Sequence, residues 1–405
     1  MRPRPGSGAP GRLPLAVGTA ALVVSSAAVW AQMATADRVL GPGFWPTRGT
    51  PARRDFVGPS ACAKCHGSHS ETQPTTSMAR TASRAADSAV LRSHDRLAFR
   101  SGSLRYEVAT RDGASLYSVS DGTRSSAVPL AWAFGAGKVG QTYLFEKDGT
   151  FHETRLSYFA TLGAAAFTPA RAIQQPRDLE EALARPIRQP ELGRCFGCHT
   201  TASTTEGRFD PAVLMPGVTC EACHGPGRQH VTAAEQGHFD QARTAVLNPG
   251  KLDPVDSVDF CGACHATFWD VKLAGEAGVA ALRSQPHRLQ SSRCWKEGDA
   301  RLTCVACHNP HRPLVREAPA YDQRCLSCHV LAGPVASGDH PGPPCKAGKP
   351  ASCATCHMPK YEVPDMHFQF TDHLIRVVEA RRPPPGADAQ ADGVRSGRED
   401  PGKIR

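Results

Sequence analysis

The sequence predicts a mostly irregular and α-helical fold, with a small antiparallel β insert, whose interior is filled by something other than side chains. Aromatic residues make up only 6% of the 405 residues, and there are 34 prolines and 37 glycines, so a large conventional hydrophobic core is difficult to build. The chain also contains 16 cysteines and 17 histidines. Apolar and polar residues alternate around Asp-Gly turns between residues 97 and 162, a pattern typical of β-hairpins.

Most of the cysteines belong to one motif, Cys-x-x-Cys-His, which occurs seven times. Two thiols at this spacing add to the two vinyl groups of one haem, and the adjacent histidine reaches the iron as its proximal ligand. Tetrahedral zinc sites also use Cys-x-x-Cys pairs, but they do not require a histidine directly after every pair. We therefore predict seven covalently attached haem c groups. The predicted fold class is a multihaem cytochrome c fold with the haems as its core.

The motifs supply both the attachment sites and the proximal ligands. The predicted attachment sites are Cys62, Cys65, Cys195, Cys198, Cys220, Cys223, Cys261, Cys264, Cys304, Cys307, Cys325, Cys328, Cys353 and Cys356. The predicted proximal ligands are His66, His199, His224, His265, His308, His329 and His357.

Two cysteines, Cys294 and Cys345, lie outside the motifs. An even remainder favours one disulfide if the chain is exported, as its N-terminus predicts. A thiolate ligand or a reactive thiol is the alternative.

The second axial position of each iron distinguishes an electron carrier from a catalyst. Candidate distal ligands are six of the seven histidines that lie outside the motifs in the haem-dense region, all except His238, because imidazole is a preferred partner of haem iron. They are His230, His287, His311, His340, His367 and His373. His311 follows proximal His308 too closely to reach the opposite face of the same ring, so we predict that it ligates a neighbouring haem.

The first motif has a different candidate, Met78, which follows His66 and His69 along the chain. A methionine ligand would raise the potential of that haem relative to bis-histidine neighbours. A buried methionine packed on a ring edge is the alternative. The sequence around His94, His152 and His238 predicts that these three histidines are surface residues.

The N-terminal residues 1–36 predict a signal peptide or an N-terminal membrane anchor. Three arginines precede the apolar run 13–30, and Val29 and Ala31 stand at the −3 and −1 positions of a cleavage site, which favours cleavage. The apolar run is also close to the length of a short membrane helix, so an uncleaved anchor is the alternative. Both place the rest of the chain outside the cytoplasm, and we expect a periplasmic protein that is exported or tethered to the inner membrane.

The rest of the chain divides by composition. Residues 37–55, rich in Gly, Pro and Arg, predict a linker, 56–96 a first haem module, and 97–162 the β insert. Residues 163–380 predict a six-haem cytochrome domain, whose irregular motif spacing excludes a solenoid repeat. Within it, residues 178–185 predict a short helix. The polar, Pro- and Gly-rich residues 381–405 predict a disordered tail.

The formal net charge of +9 says little about partners. Each haem brings two propionates, so seven haems change the charge to about 9 − 7 = +2 when ferric and about 9 − 14 = −5 when ferrous. We therefore expect no nucleic-acid partner.

Several motif contexts resemble one group of bacterial heptahaem c-type cytochromes, in the superfamily that includes the tetrahaem electron acceptor of hydroxylamine oxidoreductase. The segments are FVGPSACAKCH with SMAR, GVTCEACHGPGRQH, SRCWKEGDARLTCVACHNPHRP, and CATCHMPK with FTDHLI, within about residues 56 to 376. The resemblance implies that Cys294 pairs with Cys345. It also implies seven distal ligands, namely Met78, His230, His287, His311, His340, His367 and His373. Members often carry a tetratricopeptide tail, where this chain has only a short polar one.

A full ligand set leaves no iron free for substrate, so the sequence favours an electron-transfer protein over an enzyme. We expect redox partner proteins, either a quinol-side donor or a terminal reductase. The alternative is a multihaem oxidoreductase that acts on a small nitrogen or sulfur species at one open haem. The first motif would be the candidate for such a site if Met78 does not bind, with Arg80 and Arg84 nearby to attract an anion.

Overall fold

A computed structural model describes residues 53–169, 175–205, 208–211, 214–275, 278–296, 301–329, 352–363 and 365–376. The predicted N-terminal export segment, most of the predicted linker and the predicted C-terminal tail lie outside these residues, as do His340 and Cys345. Among the described residues, no helix has both the length and the apolar character needed to cross a bilayer.

Two antiparallel sheets form the part of the molecule that follows the first motif. Ten strands contribute: β1 Ala82–Arg84, β2 Arg96–Ser101, β3 Leu104–Arg111, β4 Ala114–Ser120, β5 Ser125–Pro129, β6 Trp132–Phe134, β7 Gly140–Lys147, β8 Thr150–Phe159, β9 Ala164–Phe167 and β10 Ala184–Pro186. One sheet has the order β2-β3-β4-β5, and the other has the order β1-β6-β7-β8-β10 with β9 also paired to β8. The strands therefore begin before residue 97 and end after residue 162, the limits of the predicted insert.

Tight turns set the register of the two longest hairpins. Asp112 and Gly113 join β3 to β4, and Asp148 and Gly149 join β7 to β8. All four residues have positive φ, from 51° to 78°, as two-residue hairpin turns of type I′ require. The predicted Asp-Gly turns are thus confirmed at both positions.

The two sheets bury a shared core. Along β3 and β4 the buried residues alternate with exposed ones, for example Tyr106 and Val108 opposite Tyr117 and Val119. These side chains pack in one cluster with residues of the other sheet, including Leu156. The period of two follows from the pleat, which points successive side chains to opposite faces.

Fifteen α-helices, most of them short, occur in the described residues outside these strands. They are α1 Pro59–Ala63, α2 Gly67–Thr72, α3 Ala89–Arg92, α4 Leu179–Leu183, α5 Gln189–His199, α6 Cys220–His224, α7 Arg228–Glu235, α8 Phe239–Thr244, α9 Pro254–His265, α10 Phe268–Ala274, α11 Gln285–Gln290, α12 Arg293–Lys296, α13 Cys304–Cys307, α14 Asp322–Leu326 and α15 Cys353–His357. Helix α4 confirms the helix predicted at 178–185, and its N-cap Asp178 accepts a hydrogen bond from the Glu181 amide.

Four further two-residue strands form two small pairings: β11 Thr200–Thr201 with β14 Met215–Pro216, and β12 Thr204–Thr205 with β13 Arg208–Phe209. A C-terminal hairpin, β15 Lys360–Val363 with β16 Phe368–Thr371, follows the last motif.

Phe196 joins the β-sheet region to the second motif. It lies between the two motif cysteines on α5, is fully buried, and contacts Trp132 and Phe134 edge-on and Phe209 face to face. The second motif is therefore anchored to the sheet by an aromatic cluster.

We expect Phe196→Ala to destabilise the protein by about 3–5 kcal/mol, because truncating a buried aromatic side chain removes its contacts and leaves a cavity. Thermal unfolding of the holoprotein, followed by far-UV circular dichroism, measures this loss. Leu162→Ala is the control, since Leu162 is 47% exposed. Equal melting temperatures for the two variants would contradict the proposed anchor.

Candidate haem-binding sites

Each fully described motif places its three chemical groups on one side of a helical turn. In the first motif the His66 amide donates to the Cys62 carbonyl at 2.9 Å, and the fifth and sixth motifs repeat this bond at 2.9 Å from His308 and His329. Residues three and four apart share one face of a helix, so both thiols and the imidazole point the same way. This arrangement suits attachment of one planar ring to each motif.

Several motif imidazoles are oriented by a hydrogen bond at Nδ1. His224 Nδ1 lies 2.7 Å from the Leu247 carbonyl oxygen, and His357 Nδ1 lies 2.7 Å from that of Arg376. His199 Nδ1 lies 3.1 Å from the Thr81 carbonyl oxygen. An imidazole that donates from Nδ1 presents the lone pair of Nε2, and this fixes the tautomer that binds a metal.

Three motif histidines face a second histidine at the separation that a shared iron requires. An iron about 2 Å from each Nε2, with each nitrogen about 1.1 Å from its ring centre, puts the two ring centroids about 6.2 Å apart. The observed separations are 6.1 Å for His66 and His230, 6.0 Å for His224 and His311, and 6.1 Å for His308 and His373. These three pairs therefore fit bis-histidine haem sites.

The predicted surface histidines provide a comparison. His94 and His152 also place Nδ1 within 3.0 Å of a backbone carbonyl, so that bond alone does not mark a ligand. Their rings instead lie 5.1 Å from the rings of Tyr158 and Phe145. His238 is exposed. The ring separation is therefore the discriminating feature.

The His66 ring lies 6.1 Å from the ring of His230, and Met78 stays a predicted alternative ligand. Met78 lies in a turn where its carbonyl accepts hydrogen bonds from the Thr81 and Val218 amides. Arg84, considered above as an anion-attracting residue, stacks over the Trp132 ring at 4.1 Å. The geometry therefore favours a closed first haem with two histidine ligands.

The other candidate ligands have no opposing motif histidine among the described ring contacts. His287 is buried, and its ring lies 5.4 Å from that of Phe268. The His367 ring lies 4.8 Å from that of Phe159. Four motif histidines have no opposing histidine ring among the described residues, namely His199, His265, His329 and His357. The predicted Cys294–Cys345 pair extends outside the described residues.

Burial favours the neutral imidazole, which is the form that binds iron. Desolvation lowers the pKa of His199, His265, His308 and His311 from the ordinary value, and it lowers that of His373 to about 4. These five histidines therefore do not need to lose a proton at neutral pH before they can bind.

Neighbouring motifs lie close enough for their thiols to interact. The thiols lie next to each other in the pairs Cys62 and Cys220, Cys261 and Cys304, and Cys325 and Cys353. Electrostatic interactions link Cys223 to Cys261 and Cys307 to Cys325. The Cys198 thiol donates to the Ala263 carbonyl at 3.5 Å. Motifs 1, 3, 4, 5, 6 and 7 thus form a continuous series, with motif 2 beside motif 4.

Buried charged groups that the sequence analysis missed support the ligands. Asp372 is fully buried, and Arg288 donates to both its carboxylate oxygens at 2.8 and 2.7 Å. This ion pair fixes the segments that carry His287 and His373, each one residue away. The only indication of this ion pair in the sequence is that Arg288 and Asp372 each lie directly beside a candidate ligand.

A part of this chain matches known cytochromes. A family model described as cytochrome c554 and c-prime matches residues 151–225, which include the second and third motifs. Multiheme cytochrome MtrA of Shewanella baltica is 26% identical over 34% of this chain and 52% of its own length. Cytochrome c-554 of Nitrosomonas europaea is 31% identical over 18% of this chain and 35% of its own length. The chain is related to multihaem c-type cytochromes.

These matches are partial, since the chain spans about half the length of the MtrA relative and about a third of the c-554 relative. Among solved structures, the outer cell wall cytochrome OcwA aligns over 84% of this chain and 82% of its own at 16% identity, with a TM-score of 0.46. That score is below the value that indicates a common fold.

Proposed function

We propose that this chain is a periplasmic heptahaem c-type cytochrome that carries electrons between respiratory redox partners. The observation that carries the proposal is the unbroken series of neighbouring motifs, because electron transfer requires closely spaced redox centres. The relation to multihaem c-type cytochromes supports it. We propose that its partners are a quinol-side donor and a terminal reductase. We also propose that the chain belongs to the superfamily that includes the tetrahaem electron acceptor of hydroxylamine oxidoreductase.

The chain contributes attachment, axial ligation and electrostatic environment. The fourteen motif cysteines would hold seven haems, and the seven motif histidines would bind their irons on one side. His230, His311 and His373 would close the opposite side for the first, third and fifth motifs. The bound haems would supply one-electron redox chemistry. Nδ1 hydrogen bonds and burial would keep the ligating imidazoles oriented and neutral.

The second candidate function is a multihaem oxidoreductase with one open iron. It is favoured by the four motif histidines for which the described residues show no opposing histidine ring. Since His230 would close the first motif in our proposal, such a site would lie at another motif.

Removing the fourth haem is expected to interrupt the series, because motif 4 lies beside motifs 2, 3 and 5. In Cys261→Ala/Cys264→Ala, electrons from a substoichiometric one-electron donor should redistribute among the remaining haems more slowly than in the wild type. Stopped-flow absorbance measures the redistribution, after pyridine haemochrome analysis has counted the haems. The matched control is Cys353→Ala/Cys356→Ala, which removes a terminal haem and should leave redistribution among the others unchanged. Equal rates in both variants, or turnover of nitrite or hydroxylamine by the wild type, would contradict the carrier proposal.

A further inference from the structure

Glu221 is a buried carboxylate at the junction of the first and third motifs. Its side chain is 2% exposed, although it stands between the two cysteines of the third motif. The carboxylate accepts backbone hydrogen bonds from Val57, Gly58 and Gly227, each at 2.8 Å. Charge-assisted hydrogen bonds of this kind are about twice as strong as neutral ones. Glu221 is therefore a fixed element of this junction.

The three donors connect Glu221 to both sides of the first haem site. Val57 and Gly58 directly precede α1, which carries Cys62 and leads to His66. Gly227 is the N-cap residue of α7, which carries His230. One carboxylate thus links the segments of the two histidines whose rings lie 6.1 Å apart.

The approach at Gly227 is close. A Cβ atom there would lie 3.2 Å from Glu221 Oε1 and 3.0 Å from Val57 Cγ2, so a larger residue would have to displace these groups by a few tenths of an ångström. The glycine therefore lets the start of α7, the helix that carries His230, donate its amide to the carboxylate without crowding.

The charge of Glu221 is held by amide groups alone. Within the described part of the chain no lysine or arginine forms an ion pair with it, whereas Asp372 pairs with Arg288 and Arg376.

We propose that Glu221 is a positioning residue that aligns His66 with His230 and lowers the reduction potential of the haem between them. The inference rests on the proposed function, because it takes the first motif to hold a haem. A buried negative charge stabilises the ferric state, which carries one more positive charge than the ferrous state. In an interior of low dielectric constant this effect is much larger than at the surface.

A similar contact occurs once more in the described chain. Asp322, buried at the start of α14 and three residues before the sixth motif, accepts hydrogen bonds from the Ser352 and Cys353 amides, both at 2.8 Å. A buried carboxylate beside one motif again accepts hydrogen bonds at the start of another motif helix. The Glu221 contact differs because it also reaches the segment of a distal ligand.

The test is a potentiometric titration of the holoprotein, followed by visible absorbance and by EPR. In Glu221→Gln, which keeps the size of the side chain but removes its charge, one haem should titrate at a higher potential than in the wild type. Glu235→Gln is the matched control, because Glu235 lies on the exposed end of α7, and its titration should match the wild type. An unshifted titration of Glu221→Gln would overturn the proposal.

A second variant separates position from charge. Glu221→Asp keeps the charge but is too short to hold all three amides, so a high-spin fraction should appear for one haem. If the EPR spectrum of Glu221→Asp is identical to that of the wild type, the positioning role is contradicted. This test can be made even if Glu221→Gln does not accumulate. If the wild type itself lacks a low-spin haem at the first motif, the proposed function fails first. If the wild type has seven low-spin haems and both Glu221 variants match it in titration and EPR spectrum, only the proposed role of Glu221 fails.

Discussion

Replacing His230 by alanine is expected to convert one haem from a low-spin, six-coordinate iron to a high-spin, five-coordinate iron. The His230 ring lies 6.1 Å from that of His66 with an angle of 24° between their planes, so its loss removes one axial ligand. Its Nδ1 lies 2.8 Å from the Ala242 carbonyl oxygen, which orients the ring. Low-temperature EPR of the oxidised protein measures the change. Added imidazole should restore the low-spin signal, because it can occupy the vacated position.

Met78→Ala is the informative control for this experiment. Met78 follows the same motif but lies in a turn bonded to Val218, whereas the His230 ring lies 6.1 Å from that of His66. Its replacement should leave the first haem low-spin. A high-spin haem in Met78→Ala together with a wild-type spectrum in His230→Ala would reverse the assignment.

Asp372→Asn is expected to destabilise the protein by about 3–5 kcal/mol, the usual cost of breaking a buried ion pair by removing one charge. Asp372 is fully buried, and Arg288 would keep its charge in a largely buried position without its bidentate partner. The change also loosens the segment that carries His373, so heating should produce high-spin haem before global unfolding. Thermal unfolding, followed at the haem absorbance and by far-UV circular dichroism, tests both effects.

An exposed ion pair provides the comparison for Asp372. Asp240 pairs with Arg243 on α8, where the two side chains are 98% and 77% exposed. Asp240→Asn should leave the melting temperature nearly unchanged, because water screens such pairs. If Asp372→Asn is equally harmless, the buried ion pair does not hold the His373 segment.

The motifs could be interpreted from the sequence because their chemistry is local. Five consecutive residues define an attachment site, and no tertiary information is needed to assign its proximal histidine. The Asp-Gly hairpins and the helix after Asp178 were predictable for the same reason. The edge strands Ala82–Arg84 and Ala184–Pro186 were not, because three residues are too few to show an alternating pattern.

The partner of each proximal histidine could not be read from the sequence. His66 and His230 lie far apart in the chain. In our proposal their approach depends on Glu221, which accepts hydrogen bonds from the amides of Val57 and Gly227. His311 was expected to ligate a neighbouring haem, and the structure places it opposite His224. Its ring also lies 4.5 Å from that of His69, a histidine for which the sequence analysis predicted no role. That His311 binds iron stays a prediction.

The central claim is that paired histidines close the haems of a continuous series. Low-temperature EPR of the oxidised, purified holoprotein, with haems counted as the pyridine haemochrome, tests it most directly. We predict seven haems per chain, all low-spin, with no response to nitrite, hydroxylamine or cyanide. A high-spin signal that shifts on addition of one of these molecules would contradict the claim and indicate an open, catalytic iron.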